Sequence, residues 1–144
     1  ELIDLGVENT QIPNLLFDNS TIGSLQLLGR ALENMHFLKA NKTAYTTLSQ
    51  AELDQFNYTK GDAEGIVNYG LSIKGIDFSA IFIENKAENF IKISFRSQGD
   101  FDVNQFARDY FNGGGHRNAA GGKSELSLQE TVQKFETLAT KLNL

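Results

Sequence analysis

The segment from Gly113 to Gly122 carries residue types that bind anions. Three consecutive glycines, Gly113–Gly115, lack Cβ atoms, so their backbone N–H groups can approach an oxyanion and form a concave nest. His116 and Arg117 follow directly. The histidine can donate a hydrogen bond, and the arginine is a permanent planar cation suited to bidentate phosphate contact. The segment predicts a phosphate-binding loop, with a simple loop after a helix as the alternative on composition alone.

Two common phosphate-binding motifs do not fit this segment. A P-loop would place a glycine five residues before Gly122-Lys123-Ser124, and that position is Arg117. A dinucleotide-binding fingerprint would need a glycine three residues after Gly115, where Asn118 stands. A phosphate here would therefore be held by the consecutive glycines and their neighbours, not by either motif.

The composition narrows the class of protein. The chain has 144 residues, enough for one domain with its own core, and no cysteine. Its two histidines, His36 and His116, lack the spacing of a zinc site, so the sequence shows neither a thiol nor a zinc motif. No apolar run reaches the roughly 20 residues of a membrane span, and Glu1–Asp4 lacks the basic start of a signal peptide. We expect a cytoplasmic chain without membrane contact.

The charge distribution favours a small anion site over a broad nucleic-acid surface. The net charge is −5, the wrong sign for a protein that gains affinity by neutralising many phosphates. Residues 91–123 nevertheless contain five basic and three acidic side chains, so this stretch is positive on an acidic protein. Its basic residues are Lys92, Arg96, Arg108, Arg117 and Lys123.

Strands and helices alternate before and after the glycines. Ile76–Glu84 and Phe90–Arg96 read as two strands of a hairpin, and Asp102 caps a helix whose apolar face is Val103, Phe106, Ala107 and Tyr110. Lys123–Leu126 predicts a final strand, and the capping box Ser127–Glu130 opens a last helix. The alternation predicts an α/β domain, with α+β as the alternative, in which helices flank a small mixed sheet.

The first half of the chain predicts further elements. Leu25, Leu28, Leu32 and Met35 indicate an amphipathic helix that includes His36 as a structural residue. A strand over Lys42–Leu48 and a capping box at Ser49–Glu52 follow. A second short helix is expected to start near Asp62. There Asp62 and Glu64 fit helix capping better than acid–base chemistry, since acids complement the helix dipole.

Several short motifs occur in one order along the second half of the chain. They are Ser94-Phe95-Arg96-Ser97, Gly99-Asp100, Asp102-Val103-Asn104, Ala107-Arg108, Gly113-Gly114-Gly115-His116 and Ala119-Ala120-Gly121. Together they resemble the DHH-associated C-terminal domain of DHH-family phosphoesterases. Upstream, Gly61–Asn68 and Ile73–Gly75 are similar to the nanoRNase subgroup, which acts as oligoribonuclease and phosphatase of 3′-phosphoadenosine 5′-phosphate.

The resemblance implies a two-lobed enzyme of which this chain holds one lobe. Residues 1–40 would form a linker helix region leading in from a catalytic DHH lobe of the same polypeptide, and residues 41–144 would form the substrate-binding domain. The other lobe would carry Asp and His ligands for a manganese pair. Because no Asp-His-His triplet occurs here, we expect this chain to bind no metal and to hydrolyse no phosphoester alone.

The same resemblance assigns the substrate-binding residues. Backbone N–H groups around Gly114, Gly115 and His116 would hold a terminal phosphate, His116 would donate to it, and Arg96 with Ser97 would neutralise a phosphate or contact the nucleotide. The full expected set is Arg96, Ser97, Gly113, Gly114, Gly115, His116, Arg117 and Asn118. A surface pairing of Arg96 with Asp100 or Asp102 is the structural alternative.

The predicted function is that of a substrate-binding domain in a hydrolase acting on short RNA or on 3′-phosphoadenosine 5′-phosphate. A few donors suffice for one or two phosphates, whereas long strands need a broad basic groove. A RecJ-type exonuclease or a cyclic-dinucleotide phosphodiesterase domain is an alternative within the family. A non-catalytic nucleotide-binding module and a pure interaction domain are alternatives of other classes, and a homodimer is compatible with each.

Overall fold

A computed structural model describes residues 21–144, which form one six-stranded sheet with helices on both faces. The strands are β1 (His36–Leu38), β2 (Thr43–Leu48), β3 (Phe78–Asn85), β4 (Phe90–Ser97), β5 (Gly114–His116) and β6 (Ala119–Ser124). The helices are α1 (Ile22–Glu33), α2 (Gln50–Gln55), α3 (Ile66–Leu71), α4 (Val103–Tyr110) and α5 (Leu128–Ala139), with a 3₁₀ turn at Lys39–Asn41. The first 20 residues of the expected linker region lie outside the described part of the chain.

The sheet is mixed and open, with strand order β1-β2-β3-β4-β6-β5. Strands β2 and β3 are parallel, and every other neighbouring pair is antiparallel. The parallel pair requires a crossover, which α2 and α3 supply, while the expected hairpin joins β3 to β4. The predicted α/β fold with a small mixed sheet is confirmed.

The two faces of the sheet are packed differently. One face buries a large aromatic cluster against α4 and α5, which includes Phe78, Phe95, Phe106 and Phe135. The other face buries a smaller aliphatic cluster under the helices of the first half, α1 to α3. On this second face β4 presents the polar side chains of Lys92, Ser94 and Arg96. This part of the face is therefore accessible to solvent.

Helix α1 differs from its predicted form. It ends at Glu33, and His36 lies on strand β1, not on the helix. The helix buries Leu27 and Ala31, whereas Leu25 is 56% exposed. The Thr46 hydroxyl of β2 donates to the Ala31 carbonyl, so β2 lies against the side of α1 that carries Ala31. None of the helices between residues 21 and 144 is long and apolar enough to cross a membrane.

Two other element boundaries also shift. Helix α3 begins at Ile66 after Gly65, not near Asp62, and the Asp62 carboxylate instead accepts from the backbone N–H and hydroxyl of Thr59 to hold a turn. The last strand begins at Ala119, inside the glycine segment, where a loop was expected. Both capping boxes are confirmed, at Ser49 and at Ser127.

A carboxylate at the start of α2 joins this helix to the C-terminal end of α1. Glu52 accepts from the Ser49 N–H at 3.0 Å, from Asn34 Nδ2 at 2.9 Å and from Arg30 Nη1 at 3.3 Å. Partial burial works against the charged form, but these donors outweigh it and hold the pKa of Glu52 below its ordinary value of 4.5. The group therefore stabilises the fold above that value, and the stabilisation is lost as pH falls through the lowered pKa.

We expect Glu52→Gln to lower the free energy of unfolding by about 1 kcal/mol at neutral pH, because the charge-assisted hydrogen bonds are weakened. Urea denaturation of both proteins as a function of pH measures the effect. The difference should close as the pH falls below the ordinary glutamate pKa. The exposed Glu125 provides a matched control, Glu125→Gln. A Glu52→Gln difference that persists unchanged at acidic pH would contradict the assignment.

Candidate functional site

The glycine segment forms a β-hairpin at one edge of the sheet. Helix α4 delivers the chain to β5, which pairs antiparallel with β6, and Arg117 and Asn118 form the tip of the hairpin. Three predicted members of the site, Gly114 to His116, thus lie on an edge strand. The segment is therefore held in regular sheet structure and does not form an isolated loop.

Close packing accounts for two of the glycines. A Cβ atom at Gly113 would lie 1.9 Å from the Gly121 carbonyl oxygen, and one at Gly115 would lie 2.7 Å from the Ala119 carbonyl oxygen. Their N–H groups are also engaged: Gly113 donates to the Ala107 carbonyl at 3.2 Å, and Gly115 donates to Asn104 Oδ1 at 2.8 Å. Neither N–H group therefore points freely to a ligand in this structure.

Sheet register brings His116 and Arg96 onto one face. His116 pairs with Ala119 of β6, and Ala119 pairs with Arg96 of β4. Residues directly opposite in an antiparallel sheet project to the same face. The two predicted side chains are thus separated by one small residue, with His116 exposed and Arg96 half-buried.

The Arg96 guanidinium is available to an anion. Its Nη1 donates to the Phe95 carbonyl at 2.9 Å, which leaves other donors of the group unused. Within residues 21–144, no carboxylate oxygen lies within 4 Å of it. The alternative, a surface pairing of Arg96 with Asp100 or Asp102, is not found in the described part of the chain, where the Asp100 carboxylate lies 3.9 Å from Arg117 Nη2.

Three other predicted site residues hold the hairpin to the loop before α4. The Ser97 hydroxyl donates to the Phe101 carbonyl at 2.7 Å and accepts from Asn118 Nδ2 at 2.9 Å. Arg117 Nη2 donates to the Asp100 carbonyl at 2.7 Å. Ser97 is buried and lies on the opposite face of β4 from its neighbour Arg96. In this structure Ser97, Arg117 and Asn118 position the hairpin.

A cleft beside β4 adds residues that sequence reasoning missed. It has a volume of about 240 Å³ and lies between β4 and the segment from Tyr58 to Val67. Lys60, Lys92 and Arg96 give it three cations against one carboxylate, that of Glu64. The alternation of Lys92, Ser94 and Arg96 along β4 was the signal that could have found this face.

One wall of the cleft consists of the Gly61–Gly65 motif. Burial raises the pKa of the Tyr58 hydroxyl, and the nearby Asp62 and Glu64 raise it further. Tyr58 therefore stays a neutral hydrogen-bonding group in the physiological range. Gly61, Ala63 and Gly65 thus line the cleft with small residues, and Tyr58 contributes a neutral phenol beside them.

The described residues do not fit a divalent-metal site. His36 and His116 lie on β1 and β5, the two opposite edges of the sheet. Between residues 21 and 144, no group of three or more His, Cys, Asp or Glu side chains is placed to hold a metal ion. Manganese chemistry would therefore need ligands other than these.

Comparison with known proteins identifies the family. A model of the DHHA1 domain matches residues 40–142. The chain is 33% identical over 88 residues to a 3′,5′-cyclic-nucleotide phosphodiesterase of Helicobacter pylori, a match that covers 61% of this chain and 24% of that protein.

Solved structures share the fold of this chain. An exopolyphosphatase-related protein from Bacteroides fragilis is 38% identical with a TM-score of 0.86, covering 97% of this chain and 41% of that one. A pGpG-specific phosphodiesterase from Vibrio cholerae shares the fold, at 13% identity and a TM-score of 0.58, over 83% of this chain and 38% of that one. The chain thus spans between about a quarter and two fifths of the length of these proteins. The chain belongs to the DHHA1 domain family.

Proposed function

We propose that this domain holds the terminal phosphate of a short oligoribonucleotide, or of 3′-phosphoadenosine 5′-phosphate, for cleavage by a separate metal-binding lobe. The observation that carries the proposal is the cross-strand row in which His116 and Arg96 flank Ala119 on one accessible face. A planar guanidinium and an imidazole on the same face can grip a phosphate from two sides.

Each side chain has a distinct role in this proposal. Arg96 neutralises the phosphate and orients it through paired N–H donors, since no carboxylate of the described chain competes within 4 Å. His116 donates a further hydrogen bond from the edge strand. The small side chain of Ala119 between them lets the phosphate lie against the sheet.

Three features favour a small substrate over a long strand. The net charge of −5 gives no broad basic surface. The cleft of about 240 Å³ beside Arg96 has room for only part of a nucleotide chain. The upstream motif from Gly61 to Asn68, which resembles the nanoRNase subgroup, forms part of that cleft. Manganese as the metal is a part of the proposal that rests on this resemblance, and the cytoplasm as the location is proposed with it from the composition.

A cyclic nucleotide is the second candidate substrate. The Helicobacter pylori relative, 33% identical over 88 residues, is a 3′,5′-cyclic-nucleotide phosphodiesterase. The name of the Bacteroides fragilis relative adds inorganic polyphosphate as a third anion to compare. A cyclic ligand has no terminal phosphate monoester, so relative affinities distinguish it from the leading proposal.

Isothermal titration of the 144-residue chain tests the proposal. The ligands are 5′-phosphorylated diadenylate, 3′-phosphoadenosine 5′-phosphate, a 3′,5′-cyclic nucleotide and tripolyphosphate. We expect the first two to bind best, and Arg96→Ala or His116→Ala to weaken them by about tenfold or more, the effect of losing one charge-assisted hydrogen bond. Lys141→Ala, at an exposed position near the C-terminus, is the matched charge control.

Three outcomes would contradict the proposal. If Arg96→Ala, His116→Ala and the unaltered chain bind with equal affinity, these two side chains do not form the binding site. Preference for the cyclic ligand would favour the second candidate. Robust manganese-dependent release of AMP or phosphate by this chain alone would overturn the role of a separate lobe.

A further inference from the structure

We propose a second phosphate subsite, formed by Lys92 and Lys123, that makes a trinucleotide the shortest strand able to use the whole binding face. The inference rests on the proposed function, because it treats Arg96 and His116 as the subsite for the terminal phosphate. It adds two residues that the family motifs do not include and a length preference for the substrate.

Lys92 and Lys123 form a like-charge pair across two strands. They are directly opposite each other on β4 and β6, and both are exposed. Like charges in this position repel and destabilise a sheet. Within residues 21–144, no carboxylate lies within 4 Å of either ammonium group. A bound anion would relieve the repulsion, which makes the pair suited to a phosphate.

The position of Lys123 is held by an aromatic ring. Its Nζ lies 4.9 Å from the ring centroid of Phe90, a cation–π contact that keeps the ammonium group at this end of β4. Lys92 lines the same cleft as Arg96, so the two cationic positions open onto one continuous surface.

On the β6 side, the surface between the two subsites carries only small residues. Ser94 of β4 pairs with Gly121 of β6, midway between the Lys92–Lys123 pair and the Arg96–Ala119 pair. A Cβ at Gly121 would meet only the Ile93 carbonyl oxygen, at 3.3 Å, so the space above this glycine is open. A nucleotide chain can therefore lie flat across the middle of the face, with the Ser94 hydroxyl as a donor beside it.

The spacing of the subsites sets the length of the ligand. Arg96 and Lys92 are four residues apart on one strand, which corresponds to about 13 Å at the usual rise of a β-strand. Successive phosphates of an extended single strand are about 7 Å apart, roughly twice their axial spacing in a duplex. Two internucleotide steps therefore connect the subsites. A 5′-phosphorylated trinucleotide reaches both, and a dinucleotide reaches one.

Titration with 5′-phosphorylated di- and triadenylate tests the inference. We expect the triadenylate to bind the unaltered chain about tenfold more tightly, since it gains a phosphate contact of the charge-assisted kind. In Lys92→Gln/Lys123→Gln this gain should fall below about threefold, while the affinity for diadenylate changes little. Lys123→Arg keeps the charge and should retain most of the gain.

The salt dependence provides an independent readout. Each neutralised phosphate of a single strand contributes a slope of about −0.7 to the logarithm of affinity against the logarithm of salt concentration. In the unaltered chain the slope for triadenylate should be more negative than the slope for diadenylate by about 0.7. This difference should disappear in the double variant.

The outcomes separate this inference from the proposed function. If diadenylate binds through Arg96 but triadenylate binds no more tightly, the second subsite is refuted and the proposed function stands. A gain for triadenylate that survives in the double variant likewise refutes the role of the lysines. If neither ligand binds the unaltered chain, the proposed function fails and the inference fails with it.

Discussion

Replacing Gly113 with alanine is expected to lower the free energy of unfolding by about 3 kcal/mol, in the upper part of the range for overpacking. The new Cβ atom would lie 1.9 Å from the Gly121 carbonyl oxygen and 2.7 Å from the Gly122 Cα. Both are backbone atoms of β6, which is paired on both sides, so neither can move without distorting the sheet. Urea denaturation followed by far-ultraviolet circular dichroism measures the loss.

Gly121→Ala is the matched control in the same hairpin. Its Cβ would meet only the Ile93 carbonyl oxygen, at 3.3 Å, so the cost should stay below about 1 kcal/mol. A Gly113→Ala variant as stable as the unaltered chain would show that packing does not require this glycine. The comparison thus separates a structural reason for the glycines from a ligand-binding one.

Replacing Phe135 with alanine is expected to cost about 3–5 kcal/mol, the range for removing a buried phenylalanine. Phe135 projects from α5 and is fully buried. Its ring centroid lies 5.1–6.2 Å from five others, those of Tyr45, Phe78, Phe82, Phe95 and Phe106. The cavity would therefore open at the centre of the aromatic cluster that supports β4. Such a loss is a large part of the stability of an ordinary domain.

Phe37→Ala is the control for this variant. Phe37 lies on the edge strand β1 and is 43% exposed, so its removal should cost less than about 1 kcal/mol. If Phe135→Ala fails to fold, Phe135→Leu provides a milder test, with a loss in the same direction. A Phe135→Ala variant as stable as Phe37→Ala would contradict the central position of this ring.

Both predictions concern the packing that holds β4 and the β5–β6 hairpin in position. The aromatic cluster fixes β4 from one side and leaves the other side of the strand to Lys92, Ser94 and Arg96. The hairpin packs closely enough to place His116 beside that row only because Gly113 and Gly115 lack side chains. Stability on one face therefore determines the geometry of the proposed site on the other.

The sequence by itself determined the local elements and the family. Capping boxes at Ser49 and Ser127, the β3–β4 hairpin and the helix after Asp102 follow from contacts between residues three or four positions apart, or from a two-residue alternation. Such signals are readable without tertiary structure. The ordered motifs around Gly113–His116 identified the family for a similar reason, since they are short patterns at fixed spacing.

The burial of some helix side chains differs from the prediction, because long-range packing determines which side of a helix is buried. Leucine periodicity placed Leu25, Leu28 and Leu32 on the buried face of α1. Leu25 and Leu32 are exposed, Leu28 is partly buried, and the fully buried residues are Leu27 and Ala31, the latter beside β2. Tyr110 was expected to be buried on α4, but it is 42% exposed, and Phe111 takes the buried position. Neither outcome follows from the helix alone.

Only the tertiary structure determined which of the expected site residues lie on the accessible face and which hold the hairpin in place. Cross-strand register places Arg96 and His116 on one face and pairs Lys92 with Lys123, whereas Ser97, Arg117 and Asn118 hold the hairpin. Register depends on which strands become neighbours, and a shift of one residue would turn every side chain to the other face. Residue types and spacing therefore indicated phosphate chemistry, while the pairing of distant strands determined which of those residues can reach the same phosphate.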